Sequence, residues 1–168
     1  MRVYAHLDSP LGELLLVGEA SAVAPGGVAL CSLSVPGQKG GAGLQNGWRH
    51  APEVFGAVAE QLKAYFAGEL RRFDVAYAQG SGTGFQRRVW AAVDAIPYGE
   101  TTSYGKLAAS IGASRPAVRA VGTAIGRNPL LVLRPCHRIL GADGSLAGYA
   151  GGLERKRWLL DLEAGTRA

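Results

Sequence analysis

The hydrophobic pattern of this chain changes period at AQGSGTG, residues 78–84. Before that stretch, short runs rich in Val and Leu, cut by Gly and Pro, lead into a single helical repeat. After it, apolar residues recur every three or four positions. A run of short apolar segments suits a sheet and the longer period suits amphipathic helices, so one uniform architecture cannot satisfy both halves. Gly and Ser make the stretch a linker. It sets a boundary near residue 80, dividing the 168 residues into an α/β supporting domain, 1–80, and a helical domain, 81–168.

In the first part, RVYAHL, GELLLV and VALCSLSV read as strands separated by the turn signals DSPLG and ASAVAPGG, which predicts a small antiparallel sheet. PGQKGGAGLQNGWRH is Gly-rich and aperiodic and reads as a loop. APEVFGAVAEQLKAYFAGEL then places Val54, Val58, Leu62 and Tyr65 on one helical face, with Pro52 suited to the first turn. That helix is expected to cover the sheet.

The chain is 48% hydrophobic, enough for a cored globular protein, yet no apolar run approaches the ~20 residues of a membrane helix. No basic segment followed by an apolar core opens it, so the expected location is the cytoplasm, with Cys31 and Cys136 as thiols.

Beyond residue 84, FQRRVWAAVDAI, SYGKLAASIG and SRPAVRAVGTAIG each carry helical periodicity. In the third, Ser114 suits a cap and Pro116 the first turn, with Val118, Val121 and Ile125 facing inward. Two short helices joined at Gly112 make a helix-turn-helix candidate. The charge supports it: residues 1–80 carry six Lys/Arg and seven Asp/Glu, whereas residues 81–168 carry twelve and six. All of the excess positive charge therefore lies with the helices, as a polyanion-binding module requires. On the outer face of the second helix, Arg115, Arg119 and Gly122 stand beside Ala120 and Thr123. Such a small-residue face suits tight packing on another helix or close approach to a DNA groove; an arginine in its middle favours the groove.

LLVLRPCHRIL, residues 130–140, places a thiol and an imidazole side by side. Leu130–Leu133 reads as a buried strand that Pro135 ends, leaving Cys136 at a turn or helix start. A free amide N-terminus together with Arg134, His137 and Arg138 would favour thiolate there; the alternative is an inert buried cysteine. Adjacent side chains diverge, so His137 would reach Cys136 through a water. A base needs an orienting acceptor, and Glu163 is the candidate. It shares the apolar stripe of Leu159 and Leu160 in LERKRWLLDLEAG and sits in the last helical turn, where a carboxylate is disfavoured unless compensated.

Together FQRRVW, IPYGETTSYGKLA, RPAVRAVGTAIGRNP, PCHRI and GYAGGLERKRWLL resemble, in order and spacing, the O6-alkylguanine-DNA alkyltransferases, also called methylated-DNA–protein-cysteine methyltransferases. The resemblance implies an α+β chain. Its N-terminal part would be ribonuclease-H-like, and its C-terminal winged-helix/helix-turn-helix domain would carry the active site. It implies direct reversal of damage: an O6-alkylguanine, or an O4-alkylthymine, is flipped from double-stranded DNA and its alkyl group passes once and irreversibly to Cys136.

By the family pattern, Glu163 orients His137, His137 deprotonates Cys136 through water, and Asn128 ties the recognition helix to the active-site segment. Tyr104 would donate to guanine N3. Arg119 would fill the gap in the base stack, with Ser103, Arg115, Ala117, Ala120, Gly122 and Thr123 along the DNA. Tyr149, Ala150, Ile139, Leu131 and Arg138 would line the base pocket, the Ala150 N–H binding O6 and the carbonyls of Cys136 and Ile139 accepting from the exocyclic amine. Arg134, Ala150 and Leu131 stand where members usually carry Val or Ile, often Ser, and frequently Pro.

The transfer needs one oriented nucleophile and stabilisation of the departing base, so neither cofactor nor metal is expected; His6, Cys31 and His50 do not reproduce the zinc spacing of some members. The expected partner is lesion-bearing duplex DNA, bound by a monomer with cooperative assembly on DNA left open, and no membrane. Two other readings remain: a lesion-binding protein without transfer, which Cys136 argues against, and a Cys-His-Glu hydrolase indifferent to DNA.

Overall fold

The computed structural model describes residues 1–78 and 82–165. The chain divides into two compact units, Met1–Ser81 and Gly82–Ala168. It is α+β, with a small mixed sheet in the first unit and mainly helices in the second.

Strands β1 (Arg2–Leu7), β2 (Leu14–Ala20) and β3 (Val28–Ser34) form where the Val/Leu runs predict them and pair antiparallel. The sheet is not purely antiparallel. A fourth strand, β4 (Arg49–His50), joins β1 in parallel through Val3 and Tyr4, giving the order β3-β2-β1-β4. It lies inside the segment that reads as loop, because two polar residues carry no periodicity to detect. Leu14, Leu16, Leu30 and Leu33 point into the core. A 3₁₀ turn over Pro52–Phe55 leads into α1 (Gly56–Phe66), which buries Val58, Leu62 and Tyr65, the inward stripe of the sequence; Phe55 is buried and Val54 only half so.

Of the linker, residues 79–81 lie outside the described residues; Gly82 and Thr83 belong to the start of α2 (Gly84–Asp94). Thr83 and Gln86 close a reciprocal capping box there, which satisfies two otherwise orphaned donors. Gly82 adopts φ 80°, and a Cβ on it would collide with the Trp90 ring, so only glycine fits. Trp90 is buried and its Nε1 donates to Ala124 O at 2.9 Å, fixing α2 to α4 (Val118–Gly126).

Strand β5 (Thr102–Ser103) runs into α3 (Tyr104–Ser110), capped by the Ser103 hydroxyl. A turn through Gly112 and a 3₁₀ turn over Arg115–Ala117 precede α4, so α3 and α4 form the expected helix-turn-helix pair. Ser114 makes no side-chain cap; the 3₁₀ turn moves the helix start beyond its reach. The chain closes with β6 (Ile139–Leu140), parallel to β5, and α5 (Leu153–Glu163). Among the described residues no helix is long and apolar enough to cross a membrane.

Candidate active site

The strand expected over Leu130–Leu133 does not form; only Leu130 makes a bridge. The segment instead folds into tight turns. Leu133 N–H donates to Leu131 O at 2.8 Å around Val132 at φ 70°, Arg134 N–H to Leu130 O at 2.8 Å, and Cys136 N–H to Arg134 O at 2.8 Å around Pro135. A left-handed conformation is costly for a β-branched residue, and burial of Leu130, Leu131, Val132 and Leu133 on all sides holds it. An apolar run buried all round looks the same in sequence whether it is extended or coiled.

Cys136 opens a single 3₁₀ turn, Cys136–Arg138, and is 5% exposed. Its sulfur accepts from Asn128 Nδ2 at 3.2 Å. Asn128 follows α4 almost directly; its Nδ2 also reaches Arg134 O at 3.1 Å and its Oδ1 accepts from Leu130 N at 2.9 Å. One buried amide thus joins the end of α4, the turn and the sulfur. The expected thiolate is not what this environment favours. Burial pushes the Cys136 thiol up to about 11, against the opposing pull of the Asn128 hydrogen bond, the Lys156 ammonium and, least, Arg134. The cations that the sequence offered are engaged elsewhere: Arg134 with Asp94 at 3.1 Å, Arg138 with Glu163. The turn's amide is spent on Arg134 O.

His137 is fully buried, and its Nε2 lies 2.8 Å from Glu163 Oε2. A carboxylate accepts, so Nε2 carries the hydrogen and Nδ1 keeps its lone pair. That Nδ1 is buried with no protein partner among the described residues. Burial lowers the His137 pKa, and the Glu163 hydrogen bond opposes the shift. The imidazole is therefore neutral at neutral pH. The compensation that Glu163 requires comes from His137 and from Arg138, whose Nε and Nη2 reach the two carboxylate oxygens at 2.7 and 2.9 Å. Arg138 Nη1 donates to Ile96 O at 2.6 Å. Arg138 is thus a buried brace for Glu163, a different task from the pocket lining expected of it.

Lys156 is the residue that sequence reasoning missed. It is 0% exposed, and its Nζ donates to Ile139 O at 2.5 Å and Gly148 O at 2.9 Å. The signal was present: Lys156, Leu159 and Glu163 form one buried stripe of α5 at i, i+3 and i+7. Its ammonium ties the end of the Cys136 turn to the loop before Tyr149.

The β5–β6 pairing sets Thr102 opposite Ile139 and Ser103 opposite Leu140, which brings the start of α3 beside the Cys136 turn. Tyr104 is half-buried, its ring edge is 4.0 Å from where a Cβ on Gly122 would lie, and its hydroxyl donates to Ala147 O at 2.8 Å. Tyr149 turns a buried, unpartnered hydroxyl inward; Ala150 is half-buried and Leu131 fully buried. On the outer surface Arg115, Arg119, Ala120 and Thr123 are exposed, with Ala117 and Gly122 half-buried. The structure thus gathers Cys136, Asn128, His137, Glu163 and Tyr149 inside and arrays the helix residues outside. No group of three or more His, Cys, Asp and Glu able to hold a metal occurs among the described residues.

Comparison with known proteins places the chain in a family. Residues 84–165 match the family described as 6-O-methylguanine DNA methyltransferase, DNA binding domain. A methylated-DNA–protein-cysteine methyltransferase of Mycolicibacterium paratuberculosis is 48% identical over 160 residues, 95% of this chain and 91% of that protein. The chain belongs to the methylated-DNA–protein-cysteine methyltransferase family. A member from Methanosarcina acetivorans is 44% identical over 95% of this chain and 97% of its own length. Among solved structures, Mycobacterium tuberculosis OGT in complex with DNA superposes with a TM-score of 0.86 at 47% identity, covering 97% of this chain and 93% of that one.

Proposed function

We propose that this protein repairs DNA by direct reversal, moving an alkyl group from guanine O6 in duplex DNA to its own Cys136 in a single turnover. The observation that carries the reading is the buried set of Cys136, Asn128, His137 and Glu163, placed directly behind the helix-turn-helix of a family member. An inert cysteine would not need an amide donating to its sulfur.

The reaction divides among these groups as follows. The thiol gives its proton to His137 Nδ1 through a water, the sulfur forms a bond to the alkyl carbon, and the carbon–O6 bond breaks. The proton released by sulfur balances the one taken up by the restored guanine. Glu163 fixes the imidazole tautomer and stabilises its charged form, while Arg138 holds Glu163. Tyr104 exchanges its bond to Ala147 O for guanine N3 as the purine leaves. The Ala150 N–H binds O6, the carbonyls of Cys136 and Ile139 take the exocyclic amine, and Tyr149 lines the pocket. Arg119 replaces the flipped base in the stack, and the small residues around it permit minor-groove approach. A thioether does not hydrolyse, so each molecule acts once.

The finer architecture follows the same reading: a ribonuclease-H-like N-terminal unit, a winged-helix C-terminal unit, and a monomer acting in the cytoplasm. Incubation with duplex carrying labelled O6-methylguanine tests it. One equivalent of label on Cys136, and none in Cys136→Ala, is the expected result. Binding without label would leave a lesion-recognition protein, and turnover of esters without DNA would leave a hydrolase.

A further inference from the structure

The side chain of Arg134 is 12% exposed and tied down twice. Its Nε donates to Asp94 Oδ1 at 3.1 Å, and its guanidinium lies 5.0 Å from the centroid of the Trp90 ring. Both partners sit on α2, and Trp90 is itself fixed to α4 through Ala124 O. The backbone of the same residue is a hub. Its carbonyl accepts from Asn128 Nδ2 at 3.1 Å and from Cys136 N at 2.8 Å, and its N–H donates to Leu130 O at 2.8 Å. One residue therefore grips α2 with its side chain and holds the nucleophile turn and its amide with its main chain. The turn needs such an anchor, because Val132 occupies a left-handed conformation that a β-branched residue leaves readily when unconstrained.

We propose that Arg134 is a positioning residue for the alkyl transfer: the Arg134–Asp94–Trp90 clasp holds the Cys136 turn in register with α2. The inference rests on the transfer to Cys136 proposed above. Arg134 touches neither base nor alkyl group; it acts through the carbonyl that Asn128 and Cys136 share. A cationic donor suits the task because it lies over the indole ring and donates to the carboxylate, which an aliphatic side chain does not reproduce. Loosening the clasp displaces the sulfur relative to Asn128 and His137, and transfer is sensitive to displacements well under a bond length.

The test compares variants only after the wild-type protein has been shown to place label from O6-methylguanine duplex on Cys136, so that failure of the transfer reading and failure of the clasp are separate results. Single-turnover rates are measured at saturating protein, together with duplex Kd and thermal melting, for Arg134→Met, Arg134→Lys, Asp94→Asn and the Arg134→Met/Asp94→Asn double variant. Expected are an approximately tenfold lower maximal rate for Arg134→Met with Kd within about twofold, substantial recovery in Arg134→Lys, slowing in Asp94→Asn, and a double variant no slower than Arg134→Met. Non-additivity is the signature that general loss of packing would not give. A wild-type maximal rate in Arg134→Met, losses that multiply in the double variant, or Arg134→Lys as slow as Arg134→Met overturns the proposal. Should Arg134→Met fail to fold, Asp94→Asn decides alone, since it cuts the clasp from α2 and leaves the turn's own residues intact; a wild-type rate there is equally fatal.

Discussion

Replacing His137 by Gln separates what the sulfur can do unaided from what the imidazole adds. Burial holds the Cys136 thiol at about 11. At pH 7.5, releasing its proton to solvent therefore costs about 5 kcal/mol, and only about one sulfur in 3000 is thiolate. In the proposed relay the proton stays inside, on Nδ1, and the thiolate forms with an imidazolium that Glu163 stabilises from 2.8 Å. The proton count of the site does not change on that path. The wild-type transfer rate should consequently be flat between about pH 7 and 9 and fall only as His137 itself protonates, below about pH 6.5, because burial lowers its pKa. A glutamine accepts no proton, so in His137→Gln every reacting sulfur must ionise to solvent. Its rate should climb tenfold per pH unit without levelling by pH 9.5, and at pH 7.5 it should lie about 10²- to 10³-fold below wild type, in the range general bases contribute.

Rapid-quench, single-turnover transfer of label from O6-methylguanine duplex, with protein in excess, reads both profiles; melting curves and duplex Kd establish that the variant folds and binds. A flat profile in His137→Gln would show that the imidazole takes no proton. A wild-type rate that itself rises tenfold per pH unit would show the sulfur titrating alone. Either result breaks the relay.

Lys156→Met removes a fully buried ammonium and leaves the carbonyls of Ile139 and Gly148 without their donor; a loss of about 2 kcal/mol or more in unfolding free energy is expected by urea titration. Because the same charge pulls the Cys136 thiol down, and pH 7.5 and pH 9.5 both lie below the thiol's value of about 11, transfer should slow to a similar degree at both, and an unchanged maximal transfer rate would confine the lysine to a structural role. Arg119→Ala should slow repair of duplex more than of single strands, since only a stacked base must be extruded at a cost of a few kcal/mol; equal slowing of both substrates would contradict the stacking role.

The residues legible in the sequence are those that break a rule within their own segment. Glu163 was visible because a carboxylate on the apolar stripe of a helix, in its last turn, requires a cation or a donor, and His137 and Arg138 supply both. Arg119 stands out as an arginine amid the small residues of a short helix after a glycine turn, whereas Tyr104 enters only through the family resemblance. What stayed hidden depends on partners far along the chain. Arg134 reads as a free cation beside a thiol until Asp94, forty residues earlier, is seen to hold it. Arg138 reads as pocket lining until Ile96 O and Glu163 consume its guanidinium. β4 is two polar residues whose strand character exists only in pairing with Val3 and Tyr4.

Two of these hidden contacts bear on chemistry. Arg134 and Arg138, cations that proximity in sequence would assign to Cys136, are held by Asp94 and Glu163, and burial leaves the sulfur protonated at rest. A permanently ionised thiolate would react with any small electrophile that reached it. A buried thiol that ionises only as His137 accepts its proton can remain unreactive until an alkylated base is oriented against it. In a protein whose nucleophile is consumed by one reaction, that restraint decides whether the single event is spent on DNA. In the proposed mechanism the site's cations hold the framework, and proton transfer to His137 within it makes the nucleophile reactive.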